Sequence, residues 1–347
     1  MTDTPPRPPR RPRYAGTHPR RFHEKYKELD PERYATDVER IAATGKTPVG
    51  SHRPIMLAEV LDCLRPAAGE TAVDCTLGGG GHASGLLDRL LPGGRLIGLD
   101  VDPIELPKTE ARLRARGFDD DVFIVRHGNF AGVDRVLAEL GVPGADVMVV
   151  DLGVSSMQLD NPARGFTYKE PGPLDLRMNP TRGEPAHVMI GRLTEAQLAQ
   201  VLTENADEPH AELIAELLKR KPITTTQALD RLVRTGIAAA HSHVGKPDLK
   251  MSVRRTLQAL RVAVNDEFSA LDALLRALPR VLLPGGRVAI LTFHSGEDRR
   301  VKKSFQAGAR DGVYSSVAKD VIRSSMEETR ANRRASSAKL RWAVRAR

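Results

Sequence analysis

The chain has 347 residues, 28% charged and 4% aromatic, and its 53 Lys/Arg against 44 Asp/Glu give a formal charge of +9. That length allows one large domain or two around an aliphatic core. No run of eighteen apolar residues and no apolar signal core occur, two cysteines (Cys63 and Cys75) exclude a disulfide framework, and no Cys/His cluster has zinc spacing; a cytoplasmic protein without a metal or a membrane anchor is expected.

Residues 1–50 place five prolines among the first twelve positions, between Arg7, Arg10 and Arg11. This composition disfavours helix and sheet, so the segment reads as a disordered basic tail, either touching phosphates or without specific role. From His52 the pattern becomes regular. "PIMLAEVLDCLRP" has helical spacing, "TAVDC" is a short strand before four glycines, and "HASGLLDRLL" is a helix stopped by Pro92-Gly93-Gly94. "RLIGLDVD" is a second strand, "PIELPKTEARLRARG" a helix broken near Pro107, and "DVFIVRHGN" a third strand. "FAGVDRVLAEL" is a helix and "DVMVVDLG" a fourth strand. Such alternation implies a parallel sheet with helices on both faces.

The alternation stops near Asn161. A Pro/Gly/Arg-rich loop precedes the helices "LTEAQLAQVLTENA", "HAELIAELLKR" and "TTQALDRLVRTGIAAA", and "RRTLQALRVAVNDEFSALDALLRAL" follows as one long amphipathic stretch. "LLPGGRVAILTFHS" supplies a turn and a fifth strand, so the helical block is inserted between strands four and five. A basic helix in "EDRRVKKSF", a loop and a last strand in "AKLRWAVRA" complete the chain. From Asp298 onward, fourteen Lys/Arg face five acids, which favours nucleic acid as partner over a merely solvated face. The expected organisation is a tail over 1–50, an α/β domain over 51–160 and 256–347, and an inserted helical domain over 161–255.

In an open parallel sheet, ligands bind at the carboxyl ends of the strands. Those ends carry Asp74, Thr76 and the glycines, then Asp100 and Asp102, then His127 to Phe130, then Asp151. Glycines let a backbone approach a ligand at a helix N-terminus, Asp100 stands where an acid accepts ribose hydroxyls, and Phe130 can cover an adenine. The spacing D-x-T-x-G-G-G-G-H departs from the dinucleotide G-x-G-x-x-G. Asp74 beside the loop repels a pyrophosphate but suits the cationic S-adenosylmethionine, which is therefore favoured over NAD. Asp102-Pro103 reads chiefly as a helix cap, with ligand contact the lesser role.

"DVMVVDLGVSSMQLDNPARGFTYKEPGPLDLRMNPTRG" strongly resembles the small-subunit rRNA cytosine-N4 methyltransferases, the RsmH or MraW family. "DCTLGGGGHA", "GLDVDP", "HGNF", "RTLQALRVAVNDE", "LLPGGRVAILTFHSGEDR" and "ASSAKLR" also match, from about His52 to the C-terminus and without the tail. The resemblance implies a class I S-adenosylmethionine-dependent methyltransferase, a Rossmann-like α/β sheet with an inserted helical domain for substrate recognition. Its substrate would be a cytidine in the decoding region of small-subunit (16S) rRNA, methylated on the exocyclic amine; a homodimer is allowed. By matching positions, Gly80, Gly81, His82, Asp100, Phe130, Asp151 and Gln158 would contact the cofactor. The chain departs from the family pattern at Ala83, at Ala206-Asp207-Glu208-Pro209, at Met251-Ser252-Val253 and at Gly296. These changes keep open a paralogue acting on another RNA, DNA or protein, and a non-catalytic ribosome assembly factor.

An exocyclic amine is a poor nucleophile and needs a hydrogen-bond acceptor that localises its lone pair. Asp151 is the candidate, with cofactor binding as its other role. Phe166, Tyr168 and Phe293 are candidates to face a base outside its stack, and core packing is the alternative for each. His294 is expected to contact RNA or the base; with Ser295 and Asp151 it lacks the elbow of a hydrolase triad. Arg177, Arg254, Arg255 and Arg299, with Arg182, Arg300, Lys302 and Lys303, form the phosphate-binding group.

Overall fold

In the computed structural model, which describes residues 54–347, the apolar runs line up as one sheet. The tail expected over 1–50 lies outside the described residues. The strands are β1 (Thr71–Asp74), β2 (Arg95–Asp100), β3 (Phe123–His127), β4 (Ala145–Asp151), β5 (Leu282–Thr292), β6 (Tyr314–Val317), β7 (Ile322–Arg323) and β8 (Lys339–Arg345). Their order is β3-β2-β1-β4-β5-β8-β6, with β7 also paired to β8. The first five are parallel, with Val73 opposite Ile97 on one side and Met148 on the other; β8 runs antiparallel to β5. The chain steps outward from β1 to β3, then returns to place β4 on the other side of β1. This reversal is the switch point at which such sheets bind ligands.

Side chains alternate between the faces with a period of two. Val147 and Val149 pack with α1 (Leu57–Leu64), α2 (Gly81–Leu90) and α3 (Leu106–Arg114) through Leu64, Leu87 and Leu113. Met148 and Val150 pack on the opposite face with α4 (Val133–Glu139), α11 (Glu267–Val281) and α12 (Ser295–Arg310) through Leu137, Leu278 and Phe305. A third apolar cluster, centred on Leu202, Ile214, Val233 and Leu260, belongs to the helices between β4 and β5. These are α5 (Ser156–Asp160), α6 (Ala186–Arg192), α7 (Glu195–Ala206), α8 (Ala211–Arg220), α9 (Thr226–Ala240) and α10 (Lys246–Val264).

Four local readings change. Pro107 does not break its helix: it sits in the first turn of α3, where its missing N–H has no carbonyl to serve. The long amphipathic stretch is two helices, because Asp266 adopts φ +51° between α10 and α11. Helix α10 passes through residue 255, so its apolar face stays with the helical cluster as far as Leu260. The C-terminal loop contains β6, β7 and α13 (Met326–Ala331). Among the described residues, no helix is long and apolar enough to cross a membrane.

Candidate active site

The carboxyl ends of β1, β2 and β4 meet around the glycine loop. Gly78 (φ +46°) and Gly80 (φ +71°) take the left-handed turns that carry the chain from β1 into α2. A methyl group on Gly80 would stand 2.9 Å from Thr109 Cγ2, and one on Gly81 would stand 2.8 Å from Pro54 Cβ. Neither position accepts a side chain without movement. The Gly78 N–H donates to Asp100 Oδ2 (2.6 Å), the Asp102 N–H donates to Asp100 Oδ1 (2.8 Å), and Arg112 Nη2 donates to the Gly79 carbonyl (2.7 Å). Asp100 therefore fixes the glycine loop and the β2 loop with its two oxygens, each retaining a lone pair.

Three acids crowd this place. Asp74 is 1% exposed, and burial, with Asp100 adding repulsion, pushes its carboxyl up to about 7. Asp151 donates its backbone N–H to Thr76 Oγ1 (2.7 Å), and burial, then Asp74 and Glu297, pushes its carboxyl up to about 8. Burial also raises Asp100. No protein cation pairs with any of the three among the described residues. His82, in the first turn of α2, supplies none: burial pushes its ring down to about 4. Its Nε2 donates to the Ile55 carbonyl (3.1 Å), which leaves Nδ1 an acceptor 3.7 Å from Asp151 Oδ2, beyond hydrogen-bond reach. Asp151 Oδ1 is buried without a partner among the described residues.

Glu297 lies behind Asp151 at the start of α12. Its Oε2 accepts the Phe293 N–H (2.8 Å) and Oε1 is 3.1 Å from His294 Nε2. Burial pushes this carboxyl up, but His294 and Arg261 hold it below its ordinary range. Ser295 Oγ faces Asp207 Oδ2 (3.5 Å) instead of His294.

Of the residues singled out in the sequence, Gly80, Gly81 and His82 share one turn, Asp100 holds that loop through the Gly78 N–H, and Asp151 lies 3.7 Å from the His82 ring. Phe130 stands on the turn after β3, half-buried against the core. Gln158 is buried: its Nε2 donates to Asp102 Oδ2 (2.8 Å) and its Oε1 accepts the Ser155 N–H (2.9 Å). Asp102 is a cap, its Oδ1 accepting from the Ile104 N–H (2.9 Å). Its Oδ2 also receives Arg164 Nη1 (2.8 Å), a partner that sequence reasoning missed.

The RNA candidates are dispersed. Arg177 spends its guanidinium on Asp175 (2.8 Å twice) and the Gly183 carbonyl. Arg254 is exposed and Arg255 half-exposed on α10, without an ion-pair partner among the described residues. Arg299 is 57% exposed and 3.5 Å from Asp207 Oδ2, while Arg300 stacks 3.6 Å from the Phe268 ring centroid. Phe166 and Tyr168 pack in the helical cluster, and Phe293 packs against the core beside Gly153. No group of three His, Cys, Asp or Glu among the described residues is arranged to hold a metal.

A family model described as the MraW methylase family matches residues 50–346. The chain is 46% identical to "Ribosomal RNA small subunit methyltransferase H 2" of Alkaliphilus metalliredigens over 342 residues, 97% of each chain. It is also 46% identical to "Ribosomal RNA small subunit methyltransferase H 1" of Lachnoclostridium phytofermentans, over 97% of this chain and 93% of that one. These two spans include most of the first fifty residues, while the family model begins at residue 50, close to His52, where the sequence alone placed the start of the similarity. Among solved structures, a putative rRNA-methylase from Clostridium thermocellum aligns with a TM-score of 0.41 and 12% identity, over 84% of this chain and 98% of that one.

Proposed function

Because the chain belongs to the MraW methylase family, we propose that it transfers a methyl group from S-adenosylmethionine to the exocyclic N4 amine of a cytidine in the decoding region of small-subunit rRNA, in the cytoplasm. The observation that carries this reading is the group of acids at the switch point, raised by burial and without a cation partner among the described residues. A pyrophosphate would add charge of the same sign. A ligand bearing an ammonium and a sulfonium supplies the missing charge and fits the donor set.

The turn from Gly78 to Gly81 would hold this ligand by its backbone, Asp100 would take the ribose hydroxyls and Phe130 would cover the adenine. Gln158, committed to Asp102 and Ser155, braces the wall. When bound, S-adenosylmethionine supplies an electrophilic methyl group on a cationic sulfur. The chain's own work is to orient the amine and receive its proton. Asp151 Oδ1, without another partner among the described residues, accepts an amine N–H and localises the nitrogen lone pair. Positive charge beside Asp151 favours the ionised form that this bond requires. The amine sheds a proton as the new C–N bond forms, and an acid of raised pKa is suited to hold it. His82, kept neutral, sits beside Asp151 without competing as a cation.

The helices over 161–255, continued by α10 to Val264, are the part assigned to RNA. Arg254 and Arg255 on α10, Arg299, and His294 beside Glu297 supply contacts. Arg177 has its charge satisfied internally and acts by bracing its loop. A second reading, a different RNA substrate, is favoured by one observation. The segments that depart from the family pattern meet: Asp207 faces Ser295 and Arg299, and Glu208 accepts the Ser252 hydroxyl (2.9 Å).

The test is labelled S-adenosylmethionine with purified small subunits lacking the modification, followed by nucleoside analysis. N4-methylcytidine is expected with the wild type and is abolished by Asp151→Asn. A different methylated nucleoside selects the second reading. Near-normal methylation by the variant sinks the role of Asp151.

A further inference from the structure

The signature "ARGF…PLDLRM" lies between the cofactor strands and the helical layer, and the methyl-transfer chemistry does not use it. Arg164 is 7% exposed. Its Nη1 donates to Asp102 Oδ2 (2.8 Å), and its Nη2 donates to the carbonyls of Met178 (2.7 Å) and Arg177 (3.3 Å). One guanidinium thus ties the loop after β2 to a segment fourteen residues downstream. Asp102 is in turn joined to Asp100, which accepts the Asp102 N–H and fixes Gly78.

The far end of this tie is a strained segment. Leu176, 1% exposed, holds φ +67°, a conformation that a γ-branched side chain rarely takes. Asn265 pins it from the turn between α10 and α11: its Oδ1 accepts the Met178 N–H (2.7 Å) and its Nδ2 donates to the Leu176 carbonyl (2.7 Å). Arg164 and Asn265 therefore hold the backbone of 176–178 from two sides. One side leads to the cofactor strands, the other to the helix that carries Arg254 and Arg255.

We infer that Arg164 is a positioning residue that couples occupancy of the cofactor site to the order of the 174–183 segment, and through Asn265 to the RNA-facing helix α10. The inference rests on the methyl-transfer reading of the site. The coupling is carried by Asp102, whose Oδ1 caps the turn after β2 while its Oδ2 binds Arg164 and Gln158. A ligand that fixes Asp100 fixes the amide of Asp102, and with it the Arg164 tether. Lysine cannot reproduce this arrangement, since its single ammonium lacks the planar fork that reaches a carboxylate and two carbonyls together.

The experiment is amide hydrogen exchange of the full chain with and without S-adenosylhomocysteine, for the wild type, Arg164→Lys and Asn265→Ser. Binding of the analogue is measured separately by calorimetry. In the wild type the analogue is expected to slow exchange in peptides covering 174–183 at least threefold. In Arg164→Lys the analogue still binds, but that protection falls to less than half. In Asn265→Ser protection persists near the cofactor loop and is lost at 176–178. Should the analogue bind the wild type while exchange at 174–183 stays unchanged, or should Arg164→Lys retain full protection, the coupling is overturned and the methyl-transfer reading stands. No binding of the analogue to the folded wild type overturns both.

Discussion

Replacing Asp151 by Asn removes a group whose ionisation the fold resists, and the ligand-free protein should show it. Its carboxyl is raised from 3.8 to about 8, first by burial and then by Asp74 and Glu297. An acid that binds its proton more tightly folded than unfolded supports the fold below about pH 4 and loses that support as pH rises to about 8. At about 1.36 kcal/mol for each pH unit, full loss amounts to roughly 6 kcal/mol as an upper bound. Asp151 and Asp74 repel one another and share part of this cost, so Asp151→Asn should recover roughly 3 kcal/mol at pH 9. At pH 5 the folded carboxyl is still protonated while the unfolded one has ionised, so the variant should lead by only about 1.6 kcal/mol. His82, pushed down to about 4, weakens the fold below pH 6.5 in both proteins and cancels in the difference. Urea denaturation of both proteins at pH 5 and pH 9 measures the effect. Parallel stability curves, or a less stable variant at pH 9, would refute an electrostatic burden at this site.

The same acids predict that S-adenosylmethionine binding tightens about tenfold between pH 6 and pH 8.5, as Asp74 and Asp151 lose protons, while the neutral S-adenosylhomocysteine changes far less; calorimetry with both ligands decides it. Gly80→Ala should lower stability by about 2–3 kcal/mol and weaken the cofactor, because the methyl meets Thr109 at a left-handed residue. Gly141→Ala, equally left-handed at φ +64° but with open space around it, should cost only about 1 kcal/mol and spare binding. Arg254→Ala and Arg255→Ala should each reduce the slope of log RNA affinity against log salt by about 1. Arg177→Ala should instead lower the melting temperature and leave the slope unchanged, since Arg177 is tied to Asp175.

Most of the parallel strands were readable as apolar runs between turn residues, buried on both faces: β4, Ala145–Asp151, has five fully buried positions out of seven, whereas β3, Phe123–His127, buries only Phe123. Strand β6 was not readable, because Tyr314–Val317 has one buried residue followed by two exposed serines at a sheet edge, and β7 is two residues long. The break between α10 and α11 was hidden for a different reason: Asn265-Asp266 looks helix-compatible, and the stop comes from Asn265 serving the 176–178 backbone. In the site, Asp74, Asp100 and Asp151 were legible because acids ending apolar runs have few structural reasons to be there. Arg164 was illegible, since its partners are a residue 62 positions away and two carbonyls. For Gln158 a signal existed: Ser155-x-x-Gln158 is a capping box, and its hydrogen bonds are present.

The helical layer leaves the sheet after Asp151 and rejoins it only through α11, which runs back to the start of β5 beside β4. Cutting out that excursion in thought leaves an ordinary strand–helix–strand crossover, with the donor loop, Asp100 and Asp151 all on the retained side. Lengthening, shortening or exchanging the excursion therefore shifts no strand register. The helical layer and the strand ends are thus separable along the chain, and the bonds of Arg164 and Asn265 to the 176–178 backbone mark where a transplanted layer would have to be matched to its new host.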